Sequence, residues 1–205
     1  MSDTEFLIVR YESELAAQLA DLLSIRQDLQ RTDAICQRLF NLLSAPDSDS
    51  ELVDVLWTAA LVRYARCFTT GKRRVLDPMM ISHLSGDPVG THAYYKNQRD
   101  TLVAHSVNPF EESSVGLVLS PPGSPKRQIV GSADFYGRFI TSDKQGVKQL
   151  GALAKEFLAL VEKDISDCTQ RLLSEANSRP IDELYSLEPL VFTAPEAKAA
   201  AKSRK

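Results

Sequence analysis

The stretch that decides the fold is Leu52-Val53-Asp54-Val55-Leu56-Trp57-Thr58-Ala59-Ala60-Leu61-Val62. It is apolar on nearly every side of a helix, and a helix without a polar face normally lies at the centre of a bundle. We therefore predict a helix at about 49–70. A capping box of Ser48 and Glu51 is expected to start it, each side chain satisfying a free backbone N–H.

Three further helices are expected around it. Leucines recur at three- and four-residue steps from about residue 12 to 43, which predicts one long amphipathic helix. Asp87 followed by Pro88 is a strong start signal for another helix, running to about Ser106 before Pro109 stops it. A last apolar stripe follows Asp143, which is the expected cap, and ends near Asn177. These segments predict a mainly all-α helical bundle.

One segment, at about 114–140, alternates in the manner of strands instead. Its two runs flank Pro121-Pro122-Gly123-Ser124-Pro125, so a β-hairpin inserted into the bundle is expected. Gly131 and Gly137 are candidate positions for bulges. We predict one helical domain over residues 1–176 that contains this hairpin. A C-terminal extension over 177–205 is rich in alanine and lysine at its end and is expected to be mobile there.

Composition restricts the class of protein. The chain has 205 residues and a net charge of −3, which argues against a generally basic nucleic-acid binder, so RNA would have to bind a local patch. Its three cysteines are too few and too far apart for a disulfide framework. No apolar stretch is long enough to cross a bilayer, and the three histidines are too scattered for a metal site. We expect a cytoplasmic protein with no cofactor, no metal and no membrane partner.

The candidate chemistry lies on the third helix, in the stretch from Arg99 to His105. Histidine exchanges protons near neutral pH, and arginine stabilises a phosphate whose negative charge is growing. Helical phasing places Arg99 on the inward stripe with Tyr95 and Leu102. A buried arginine needs a partner or a purpose, since an unpaired buried charge is costly. The alternative for His105 is a helix-end histidine that only caps carbonyl groups.

These residues resemble the HEPN superfamily (higher eukaryotes and prokaryotes nucleotide-binding). Its motif is an arginine, a neighbouring polar residue and, after four to six residues, a histidine. Arg99, Asp100 and His105 match those elements. The stretch from Leu61 to Phe68, followed by Gly71, is similar to the second helix of HEPN-like bacterial proteins of the abortive-infection kind. The resemblance covers about residues 12–176.

The resemblance implies a homodimer of helical bundles in which both motifs line one cleft that binds RNA. Active members are metal-independent endoribonucleases, which here implies a toxin or phage-defence effector with a cognate antitoxin or other neutralising partner. By the same resemblance, His105 is the general acid or base, Arg99 stabilises the charge on the phosphorus centre and Asp100 orients a neighbour. Candidate substrate-binding residues around this site are Arg63, Arg66, Tyr94, Lys96 and Ser106.

Two features depart from the family pattern. One branch carries a tyrosine two positions after the histidine, where this chain has Val107. The hairpin is an insertion relative to a minimal bundle. Two other classes of function remain open. The first is a non-catalytic HEPN-like module that binds RNA or a nucleotide. The second is a helical interaction protein whose motif residues hold a dimer together.

Overall fold

The structure, a computed structural model, describes residues 6–104, 111–138 and 143–191. The described chain is mainly helical and includes a single antiparallel pair of strands, which confirms the expected class. A 3-10 turn occupies Pro78–Ile81. The helices and strands, in chain order, are α1 (Glu14–Leu42), α2 (Ser50–Arg66), α3 (Pro88–Ala104), β1 (Glu111–Leu119), β2 (Ile129–Arg138), α4 (Lys144–Asn177) and α5 (Ile181–Tyr185).

The helix starts follow the local sequence, with one correction. The carboxylate of Asp87 accepts a hydrogen bond from the backbone N–H of Gly90 at 2.8 Å, and that of Asp143 accepts one from Gly146 at 2.6 Å. Both expected caps are therefore confirmed. The expected cap Ser48 is wrong, because α2 is capped by the next residue, Asp49, whose carboxylate accepts the N–H groups of Glu51 and Leu52. A carboxylate also complements the positive end of the helix dipole.

Residues 21–164 form one compact unit with an aromatic core. Trp57 of α2 and Tyr95 of α3 are both almost fully buried, and their ring centroids lie 5.8 Å apart at an edge-on angle. Just after the end of α2, Phe68 packs edge-on against Phe157 of α4 at 4.8 Å. Aromatic side chains bury large areas and prefer such tilted contacts. The contact between Trp57 and Tyr95 packs α3 against α2.

Helix α2 is buried on one face only, which differs from the expectation of an all-round core helix. Its buried residues follow a single helical stripe: Val53, Trp57, Ala60, Leu61, Tyr64 and Ala65. Leu52 and Val55 lie on the opposite face and are 44% and 62% exposed. Scattered apolar side chains on a surface cost little, so the apolar composition alone did not require a central position.

The second compact unit comprises residues 1–20 and 165–205, of which the structure describes 6–20 and 165–191. An isolated antiparallel bridge joins Val9 to Pro189. The hydroxyl of Tyr11 donates to the carboxylate of Glu175 at 2.8 Å, and the guanidinium of Arg179 lies over the Tyr11 ring. The C-terminal extension is therefore attached to the N-terminal segment at this bridge. Its end, residues 192–205, lies outside the described residues.

Strands β1 and β2 form the expected hairpin, three residues earlier than its predicted start. The register shifts once, between Val118 and Leu119, where β2 contains one extra residue beside Gly131. No shift occurs at Gly137, the other candidate bulge. Both faces of the hairpin carry exposed apolar side chains. Within the described residues, no helix is long and apolar enough to cross a membrane.

Candidate functional site

Helix α3 carries the candidate site, and its inward face is well defined. His92, Tyr95 and Gln98 are each 1–3% exposed. They recur at three-residue steps, so they mark one stripe along the helix. Arg99 lies on the same side as His92 and Tyr95, and its side chain is 26% exposed. Arg99 is thus partly buried at the edge of the stripe, close to where helical phasing placed it.

Three charged residues of α3 form one cluster. Nη1 of Arg99 lies 2.9 Å from Oδ1 of Asp100, and Nζ of Lys96 lies 2.8 Å from the other carboxylate oxygen. One carboxylate therefore holds two cations, and the cluster keeps a net charge of about +1 at neutral pH. The hydrogen bond from Lys96, with a further one from Arg99, lowers the pKa of Asp100 below its usual value. Asp100 is therefore ionised throughout the neutral range.

The guanidinium of Arg99 has spare donor capacity. Its Nε is buried and has no hydrogen-bond partner among the residues that the structure describes. Buried donors in native proteins are nearly always paired, so such a group calls for an explanation. A guanidinium binds the oxygens of a phosphate in the same planar arrangement that it uses for carboxylates. The Arg99 side chain can hold Asp100 through Nη1 while Nε remains a donor for an anion.

Two predicted site residues lie outside the described residues: His105 of the motif and the substrate-binding candidate Ser106. Val107 lies outside them as well. Helix α3 is described as far as Ala104. The pairing of Arg99 with His105 therefore stays a prediction of the sequence. An ideal helix would place positions 99 and 105 about 120° apart and roughly 9 Å along the axis.

Tyr94 lies on α3 one turn before Gln98 and faces solvent. It is 53% exposed, and its hydroxyl accepts a hydrogen bond from Nε2 of the buried Gln98 at 3.0 Å. Its ring packs edge-on against that of Tyr95, whose hydroxyl lies within hydrogen-bond distance of the carbonyl of Gly146 and the amide of Gln149. A polar cleft of about 260 Å³ opens here, lined by Tyr94, Tyr95, Asp143, Gln145, Gly146 and Gln149. Tyr94 thus presents an aromatic face next to polar groups.

Arg63 and Arg66, two of the predicted substrate-binding residues, contact a buried carboxylate that was not among the predicted site residues. Asp28 of α1 is 4% exposed. Its oxygens lie 3.3 Å from Nη1 of Arg63, 3.5 Å from Nε of Arg66 and 3.1 Å from Nη1 of Arg73. One signal for this cluster was present in the sequence. Asp28 falls on the apolar stripe of α1, between Ile25 and Thr32, where a charge requires partners.

The arginines of α2, Arg63 and Arg66, belong to a different charge cluster from Lys96 and Arg99 of α3. His92 contacts Tyr64, which is one residue from Arg63 in α2, whereas Arg99 lies seven residues further along α3. Seven residues correspond to about 10 Å along a helix. Arg63 and Arg66 contact a different carboxylate, Asp28, from the one that Lys96 and Arg99 contact. Their charges are also partly balanced by Asp28.

His92 is a core residue whose ring has a hydrogen-bond partner. Its Nδ1 lies 2.9 Å from the hydroxyl of Tyr64, and its ring packs against Phe68 and Phe157. Burial lowers the pKa of His92 to about 4, with a smaller contribution from Lys96. It is therefore neutral at pH 7 and closed off from solvent. His83, by contrast, is exposed.

The described residues offer no obvious metal site, since no three His, Cys, Asp or Glu side chains among them converge. Cys36, Cys67 and Cys168 are all buried and unbridged. Burial raises the pKa of both Cys36 and Cys67 to about 12, so neither is a reactive thiolate.

No family model, no curated protein and no solved structure matches the chain.

Proposed function

We propose that this protein is a metal-independent endoribonuclease of the HEPN type, with Arg99 as its phosphate-binding residue. The observation that carries the proposal is the state of Arg99. Its side chain is partly buried, tied to Asp100 at 2.9 Å, and keeps a buried Nε donor without a partner among the described residues. A positively charged donor held in this way suits a phosphodiester.

The sequence supplies the proton carrier for this chemistry. As general base, His105 removes the proton of the ribose 2′-hydroxyl, and the oxygen attacks the adjacent phosphorus. As general acid, a histidine returns a proton to the 5′-oxygen when its bond to phosphorus breaks. Arg99 stabilises the negative charge that builds up on the phosphoryl oxygens. Lys96 adds a second cation within the cluster, and Asp100 fixes the orientation of both.

The same proposal includes a two-fold homodimer. One motif contains a single histidine, whereas the reaction benefits from a base and an acid acting together. His92 is buried with a pKa of about 4, and His83 lies outside the motif helix, so neither is suited to act as the second proton carrier. A two-fold axis would bring two copies of α3 together and supply the second histidine. Asp100 in each copy would reduce the repulsion between the two arginines.

A second candidate is a non-catalytic module that binds RNA or a nucleotide. The observation that favours it is that the described groups suited to an anion or a base, the Lys96–Arg99–Asp100 cluster and the exposed ring of Tyr94, can bind but cannot shuttle a proton at neutral pH, while Arg63 and Arg66 contact Asp28 instead. Binding would then rest on Lys96, Arg99 and Tyr94 alone. This module predicts affinity for RNA without cleavage.

Cleavage of mixed RNAs in EDTA separates the two candidates. The wild-type protein is expected to cut, and Arg99→Ala and His105→Ala are each expected to abolish cutting while circular dichroism stays unchanged. His83→Ala is the matched control, because His83 is exposed and outside the motif. Intact RNA with wild-type protein, or normal cutting by His105→Ala, would rule out the enzyme. RNA binding without cutting would support the module.

The biological role that we propose is a toxin-like or phage-defence effector restrained by a neutralising partner. An unrestricted ribonuclease harms the cell that makes it, so a neutraliser is expected from a neighbouring gene. Growth arrest on expression of the wild-type protein, relieved in Arg99→Ala and by co-expression of that neighbour, supports the role. Equal toxicity of the wild type and Arg99→Ala contradicts it.

A further inference from the structure

The hairpin exposes apolar side chains that nothing in the described structure covers. Val115, Leu117 and Leu119 of β1 are 75%, 66% and 64% exposed, and Ile129 and Tyr136 of β2 are 65% and 69% exposed. Residues directly opposite each other in an antiparallel pair share a face. By the observed register, all five lie on the same face of the hairpin. An apolar patch of this kind marks an interaction surface, and an isolated two-stranded sheet is marginally stable in water.

The hairpin also has two free edges, and β1 offers the better one. Within the described residues the sheet contains only β1 and β2, so each strand has one edge without a neighbouring strand. Strand β2 contains two glycines, Gly131 and Gly137, where β1 contains only Gly116, and β2 also bulges at Val130; glycines and bulges weaken or interrupt pairing. Strand β1 is regular from Glu111 to Val118. Such an edge is a template for an additional strand.

The charges along the hairpin indicate what that strand is. Glu111 and Glu112 stand at the base of β1, whereas Lys126 and Arg127 stand at the tip, and the latter three are exposed. If β1 of a second copy ran antiparallel to β1, the tip of each hairpin would lie beside the base of the other. Each pair of acids would then lie near a pair of cations. Strand β2 has no acid at its base, so pairing along β2 would lack this complementarity.

We propose that β1 pairs antiparallel with β1 of a second copy of this chain, about a two-fold axis at Val115. The result is a four-stranded sheet in the order β2–β1–β1–β2. Val115 then faces the partner's Val115 at the axis, while Leu117 faces the partner's Ser113 and lies diagonal to the partner's Val115. Cross-strand pairs of branched apolar side chains stabilise antiparallel sheets. The isologous contact buries the same edge in both copies.

This interface does not depend on ribonuclease activity, and it is compatible with the proposed two-fold cleft. Pairing centred on Val115 separates the two Glu111 residues by about 27 Å. The seven peptide steps from Ala104 to Glu111 span at most about 24 Å in each copy. On chain length alone, this connection does not prevent both α3 helices from lying near the same axis.

Matched substitutions in the two strands test the proposal on the full chain. Val115→Lys places two lysines directly opposite each other at the axis, and like charges in that position are unfavourable. Sedimentation across a concentration series is expected to show a wild-type dimer and, in Val115→Lys, a dissociation constant at least about 100-fold weaker. Val130→Lys is the control, since Val130 is also exposed but lies on the outer strand. It is expected to dimerise like the wild type.

A cross-linking measurement covers the case in which Val115→Lys disturbs the hairpin itself. Opposed residues in an antiparallel pair lie close enough for a disulfide, and the native cysteines are buried. Under mild oxidation Val115→Cys should form a covalent dimer, and Val130→Cys should not. A monomeric wild type at about 100 μM, an unaffected Val115→Lys dimer, or preferential cross-linking of Val130→Cys would each overturn the proposal. An unaffected dimer would leave the α3 cleft and its ribonuclease test intact.

Discussion

The hydroxyl of Tyr64 and Nδ1 of His92 lie 2.9 Å apart in the core of the 21–164 unit, joining α2 to α3. Both side chains are at most 3% exposed, and Phe68 and Phe157 surround them. Desolvation lowers the pKa of His92 and raises that of Tyr64, so both groups stay neutral. A neutral hydrogen bond therefore anchors the helix that carries the candidate site.

This relationship predicts a stability loss in mild acid. The pKa of His92 is about 4 in the folded state against 6.5 for an ordinary histidine, so between these values the unfolded chain binds more protons. Stability is then complete above pH 6.5 and falls as the pH decreases towards 4. Urea denaturation at pH 7.5 and pH 5 should differ by about 2 kcal/mol in the free energy of unfolding from this residue. His92→Gln should reduce that difference, and an unchanged pH dependence would contradict a buried neutral histidine.

Asp28 is expected to be essential for stability. Its buried carboxylate is the common partner of Arg63, Arg66 and Arg73, and its removal would leave these cations without that partner. Asp28→Ala should lower the free energy of unfolding by about 3–5 kcal/mol. The control is Asp33→Ala on the same helix, which loses a more exposed contact with Lys155 at 3.6 Å and an exposed hydrogen bond from Gln37, and should cost under about 1 kcal/mol. Chemical denaturation of both variants tests this, and equal losses would refute it.

Tyr94 should contribute to RNA binding but not to folding. Its ring is more than half exposed, so a base can stack on it, which is typically worth about 1–3 kcal/mol. Tyr94→Ala should therefore weaken binding of a single-stranded RNA about 5- to 150-fold in a filter-binding or anisotropy assay. Tyr94→Phe removes only the hydroxyl that accepts from Gln98 and should bind almost normally. Normal binding by Tyr94→Ala would exclude stacking at this position.

Asp100 should separate binding from catalysis. Asp100→Ala removes the anion between Lys96 and Arg99 and raises the local charge by one unit, so RNA should bind more tightly. The same change releases the guanidinium from its fixed orientation, so the cleavage rate under saturating RNA should fall, by at least about tenfold. Single-turnover kinetics measure both quantities. If the variant bound RNA more weakly and cut it at the wild-type rate, Asp100 would have neither role.

Much of the fold could be predicted because its signals are local. The 3.6-residue apolar period marks the long helices, and the carboxylates of Asp87 and Asp143 cap the backbone N–H groups three residues later. The proline-rich turn between two alternating runs likewise specifies the hairpin. The choice of Asp49 over Ser48 as a cap was harder, because adjacent residues of similar capping ability differ only in the backbone angles that the packed helix imposes.

The candidate site likewise has features that depend on one helix and features that depend on how helices pack together. The sequence by itself determined the content of the motif and the phase of Arg99 on the helix, since these depend on one helix. The i,i+4 contact of Lys96 with Asp100 also lies within that helix, but the structure was needed to show it. Only the tertiary structure decided that Arg63 and Arg66 face Asp28, 35 and 38 residues away, and that His92 meets Tyr64. It also decided that the hairpin carries its apolar residues on the surface. Such pairings depend on how separate helices pack, and a local pattern records which side chains are apolar or charged but not which partner meets them.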